Sequence, residues 1–102
     1  MAFEFLGYQF DGAYASPDSL EPRPGVYVIW CRCEDEWTVL DVGGSNDVKE
    51  GIKNLEREAC WKEHCTCEIY YSATYTPNLQ QTERIKIEER IRKLTNPPCG
   101  KP

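Results

Sequence analysis

The sequence predicts an α+β fold: a small, mainly antiparallel three-stranded sheet flanked by helices, with an extra N-terminal strand or extended segment. Three observations predict it. Apolar runs at 26–31 and 37–42 flank the charged turn Glu34-Asp35-Glu36 and read as a β-hairpin. Residues 67–75, rich in Tyr and Thr, alternate loosely and read as a third strand. The longest helical signal, 79–95, comes last and is stopped by Pro97-Pro98. A chain of 102 residues is one domain on size, 1–102, with 1–23 as an extension and 24–100 as the core.

Taken in order, residues 3–10 are aromatic-rich and end at a turn signal, Asp11-Gly12, so they read as one short strand or extended segment. Three prolines make 15–24 a loop. After the hairpin, Gly43-Gly44-Ser45 breaks the second strand. Ser45, or Asp47 with Glu50 three residues on, supplies a helix N-cap. Val48, Ile52, Leu55 and Ala59 then form a stripe at helical spacing, predicting one helix over about 46–58. In the last helix the expected core stripe is Ile87, Ile91 and Leu94.

The net charge of −5 is unevenly spread: ten Asp/Glu against three Lys/Arg in residues 1–50, seven against nine in 51–102. Phosphate affinity comes from Lys and Arg displacing counterions, so an acidic chain is a poor general nucleic-acid binder. Arg84, Lys86, Arg90, Arg92 and Lys93 nevertheless offer a positive face on the last helix, through which DNA or RNA would bind. No stretch approaches the roughly 20 apolar residues of a membrane span, and the first residues lack a signal peptide's basic and apolar regions. The expectation is a cytoplasmic protein without membrane contact. Its six cysteines are then read as reduced thiols rather than a disulfide framework. Cys31/Cys33, Cys65/Cys67, Cys60 and His64 are ligand types that suit zinc, but the familiar Cys-x2-Cys spacing is absent. The sequence therefore favours small buried thiols over a zinc site, and an ordinary turn residue at His64.

Gly25-Val26-Tyr27 opens the first apolar run after a proline. Asp41-Val42-Gly43 closes the second, and Gly44-Ser45-Asn46-Asp47-Val48 leads into the helix. Glu88, Ile91 and Pro97 follow in a fixed frame, and the chain nears its end with Pro97-Pro98-Cys99-Gly100. Across 24–100 this order resembles the GIY-YIG nuclease family, in the manner of a small single-domain bacterial-type member with a substituted active site. The resemblance implies a metal-dependent endonuclease fold that hydrolyses phosphodiesters in nucleic acid. Carried over by position, Tyr27 helps activate the nucleophile and Glu88 holds Mg2+ or Mn2+, while Asp41, Gly43 and Ser45 line the binding pocket. A hard cation keeps several waters, so one glutamate suffices as an anchor.

Two positions depart from the pattern. Asp41 stands where the family has a tyrosine, and Gly51 where it has an arginine. A missing positioned cation costs a factor of about 10² or more in rate. Hydrolysis is therefore expected to be weak or absent. The alternatives are a non-catalytic module that binds nucleic acid or protein, using the aromatic N-terminal segment and the basic helix, and a domain stabilised by zinc on Cys and His.

Overall fold

The computed structural model describes residues 2–78 and 80–100. Five strands, not three, form one antiparallel sheet: β1 (Ala2–Phe5), β2 (Tyr8–Tyr14), β3 (Gly25–Cys33), β4 (Glu36–Ser45) and β5 (Glu68–Tyr75), in the spatial order β1-β2-β5-β3-β4. Three helices complete the α+β layout: α1 (Val48–Gly51), α2 (Leu55–His64) and α3 (Gln81–Thr95).

The additional strands come from the N-terminal segment. It is a hairpin that turns at Leu6-Gly7, both with positive φ (53° and 88°), rather than one strand ending at Asp11-Gly12. Such a two-residue turn matches the twist of the flanking strands. β2 then pairs with β5, so this segment is part of the sheet and not an appendage. Phe3 and Phe5 pack against Phe10 and Trp30, with Phe5 and Trp30 ring centroids 4.9 Å apart. The aromatic N-terminal surface expected to bind a partner is thus largely used inside the protein.

β3 is an interior strand, between β5 and β4, and buried on both faces, which explains its unbroken apolar run. Alternate residues serve two cores. Val26, Val28 and Trp30 join Phe10, Val42 and Ile91 under α3 and the N-terminal hairpin. Tyr27, Ile29 and Cys31 join Leu40, Val48, Ile52 and Trp61 under α1 and α2.

The expected helix over 46–58 is two helices. Asp47 caps α1, accepting from Glu50 N–H at 3.2 Å. Asn54 caps α2, accepting from the N–H groups of Glu56 and Arg57 at 3.1 and 3.2 Å. The restart breaks the apolar stripe, leaving Leu55 83 % exposed. Gly43-Gly44-Ser45 continues β4 instead of ending it. In α3 Ile91 is buried, but Leu94 is exposed and Arg84 buried.

The cysteines also correct the sequence reading. All six are paired: Cys31–Cys65, Cys33–Cys67 and Cys60–Cys99, with Cα separations of 5.3–5.9 Å. The α2–β5 connection returns to β3 in register, which brings both Cys-x-Cys pairs together within disulfide range. No described helix is long and apolar enough to cross a membrane.

Candidate active site

β3 and β4 present Tyr27, Asp41 and Gly43 to the same face, because Tyr27 pairs with Gly43 and Ile29 with Asp41. The Tyr27 ring lies directly over Gly43, where any Cβ would run into the phenol. Gly43 therefore acts as the floor that lets the tyrosine lie flat. Both Tyr27 and Asp41 are almost wholly buried.

Asp41 is held by α2. Arg57 grips it with two hydrogen bonds, Nε to Oδ2 and Nη2 to Oδ1, each 3.0 Å. Trp61 Nε1 donates to Oδ2 at 2.8 Å, and Arg92 Nη2 lies 3.6 Å from Oδ1. With its oxygens occupied in this way, Asp41 serves as an anchor for arginine. It is placed neither as a free base nor as an open metal ligand. Such fork-to-fork pairs fix geometry as well as charge.

Arg57 in turn donates from Nη1 to the Tyr27 hydroxyl at 2.8 Å, and from Nη2 to the Val42 carbonyl at 3.3 Å. Four of its five N–H groups are engaged among the described residues, and the fifth lies on Nη1 beside the phenol. Arg57 is the residue that sequence reasoning missed. The bare Gly51 at the arginine position is the only sequence signal that a cation would have to come from elsewhere, and it does not say from where. The break before Asn54 resets the helical phase and turns Arg57 inward.

Gly51 cannot carry the expected arginine. A Cβ there would lie 2.6 Å from Cβ of Ser45. Ser45 is committed to the turn, accepting from Asp47 N–H at 3.1 Å and donating to Asp47 O at 2.9 Å. It is a structural residue of the site's wall rather than a ligand-facing hydroxyl.

Glu88 comes from α3 and sits at the edge strand β4, its Oε2 beside the space over Gly44. Its Oε1 lies 3.7 Å from Arg92 Nη2. Arg92 also donates to the carbonyls of Val42 and Cys99. Tyr27 and Glu88, 61 positions apart in sequence, are thereby joined in one charge network, Tyr27–Arg57–Asp41–Arg92–Glu88. They feel each other electrostatically, with no direct hydrogen bond among the described contacts.

Burial raises the Tyr27 phenol above its ordinary value; Arg57 draws it back, and Asp41 and Glu88 raise it further. Burial raises the Glu88 carboxyl too; Arg92 and Arg57 oppose this, while Asp41 and Glu89 add to it. Burial works against the Arg57 charge, but Tyr27, Asp41 and Glu88 outweigh it and its pKa rises. The phenol therefore keeps its proton at neutral pH. Since Arg57 donates to the phenol oxygen, the hydroxyl proton is not the one used in that contact.

The last described residues close the site. Cys99 N–H donates to the Leu40 carbonyl at 3.0 Å. Gly100, at φ 68°, passes so close to Asp41 and Arg57 that a Cβ would strike both.

The basic face expected on α3 is not one face. Arg84 is buried and donates to Asn46 Oδ1 at 2.7 Å, Arg90 to the Leu6 carbonyl at 2.9 Å, and Arg92 enters the site. Comparison with protein-family models, with curated proteins and with solved structures returns no match to this chain.

Proposed function

We propose that this chain is a GIY-YIG-like domain that hydrolyses phosphodiesters in nucleic acid slowly, with a divalent metal held at Glu88. The observation that carries the reading is the delivery of a second-half arginine, Arg57, onto the Tyr27 hydroxyl, in a network that also reaches Glu88. It supplies from another position the cation that Gly51 lacks.

The donor set suits Mg2+ or Mn2+. Glu88 offers a carboxylate oxygen beside Gly44, an exposed residue without a side chain, and such ions need few protein ligands. The bound ion would supply charge neutralisation at the phosphoryl oxygens and a more acidic water. Tyr27 orients the attacking water through its hydroxyl. The remaining Nη1 hydrogen of Arg57 meets negative charge as it develops on the phosphate. Asp41 holds Arg57 in place, and Trp61 and Arg92 hold Asp41.

A second reading, a binding module without chemistry, is favoured by one feature. Most of Arg57's donors are already used, which limits what it gives to a phosphate. Supercoiled plasmid, single-stranded DNA and RNA incubated with the protein and Mg2+ or Mn2+ separate the two. We expect slow nicking or cleavage that falls by about 10² in Tyr27→Phe and in Glu88→Gln. Cleavage that persists in both variants overturns the assignment. Salt-sensitive binding without any cleavage favours the second reading.

A further inference from the structure

We propose that Cys60, His64 and Cys99 form a second metal site, of the zinc class, that exists only when the Cys60–Cys99 disulfide is reduced. The Sγ atoms of Cys60 and Cys99 and an imidazole nitrogen of His64 all lie within 4.8 Å of one another. Cys60 and His64 are one turn apart on α2, so both project from the same face. Cys99 is brought to them by the segment that the Leu40 carbonyl and Arg92 hold in place. His64 is exposed and Cys60 partly so, which leaves the cluster open to an ion from solvent. Two thiolates and an imidazole are a donor set suited to zinc; water would complete a tetrahedron at the fourth position.

Disulfide and metal exclude each other here. Bonded to each other, the two sulfurs are not thiolates and cannot both bind one ion. A dithiol reductant delivers two electrons and two protons to the S–S bond and becomes a disulfide itself, leaving two thiols. Zinc then displaces the two thiol protons, and the sulfurs part to about 3.8 Å, the spacing of two thiolates at about 2.3 Å from one tetrahedral ion. In either state α2 stays tied to residue 99, next to the Gly100 contact with Asp41 and Arg57. This site is independent of the Glu88 site and of the hydrolytic reading.

His64 is the sole histidine in the chain, so its imidazole resonances report on the site directly. The test is to titrate Zn2+, and Co2+ as a spectroscopic substitute, into oxidised protein and into protein reduced with a phosphine. Reduced protein is expected to take up an ion that shifts the His64 resonances. Cobalt is expected to give a thiolate charge-transfer band. Oxidised protein should do neither. His64→Ala changes an exposed side chain and should fold as wild type when oxidised, yet bind zinc at least about 100-fold more weakly when reduced. Metal uptake that leaves His64 unperturbed would assign the ion to the other four cysteines and overturn the proposal. So would equal binding by oxidised protein, or a reduced chain that zinc neither binds nor refolds.

Discussion

At the scale of single residues, Arg57 and Asp41 depend on each other. Removing one partner of a buried pair leaves an uncompensated charge and costs about 3–5 kcal/mol. Arg57→Ala is therefore expected to destabilise the protein by that amount in urea denaturation, because Asp41 stays buried without it. Arg57→Lys keeps the charge but cannot grip both Asp41 oxygens and Tyr27 together, so activity should fall more than stability. Glu88 behaves in the opposite way. Its folded pKa is raised, so folding favours its neutral form; that contribution is present at low pH and lost as pH rises through the folded value. At pH 7 the charged group is a cost to stability. Glu88→Gln should therefore be more stable than wild type at pH 7. The gain should vanish below about pH 4, where the wild-type carboxyl is protonated anyway. A Glu88→Gln variant less stable than wild type at pH 7 would show that its contact with Arg92 outweighs burial.

At the scale of elements, the break between α1 and α2 decides where the site's cation comes from. The capping signal at Asp47 was legible, and so were β3, β4, β5 and α3. The second cap at Asn54 was not, because the stripe of Val48, Ile52 and Leu55 continues through it at helical spacing. Periodicity records which residues are apolar, and Leu55 is apolar but exposed. Tyr27 and Glu88 could be assigned roles by position, whereas Arg57 could be placed only once the restart of the helix was known. The hairpin turn at Leu6-Gly7 was hidden for a similar reason: Asp11-Gly12 is the stronger turn dipeptide, yet pairing with β5 keeps it inside a strand. Two substitutions test this level. Asn54→Ala removes the acceptor for two N–H groups and should cost about 1 kcal/mol. Gly51→Ala would ordinarily stabilise a helix by about 1 kcal/mol. Here it is expected to destabilise, because the new methyl group meets Ser45. Thermal melts of both variants check these signs.

At the scale of the whole molecule, the sheet needs its N-terminal hairpin and the connections need their disulfides. Without β1 and β2, β5 would become an edge, and Phe10 would be lost from the core under α3. The two bridges between β3 and the α2–β5 connection close nearly the same loop, so the second contributes less than the first. Reduction of all three should lower stability by more than the about 2–4 kcal/mol of a single bridge, but by less than three times that. The pairing of distant cysteines depends on strand register, and composition alone could not supply it. The central claim is that Tyr27, Arg57 and Glu88 surround one divalent-metal site. Titration of oxidised protein with Mn2+, followed by paramagnetic broadening of backbone amide resonances, tests it most directly. Broadening should begin at Gly44 and Glu88, spread to Tyr27 and Arg57, and disappear in Glu88→Gln; resonances that stay sharp there, or broaden first at His64, would contradict the account.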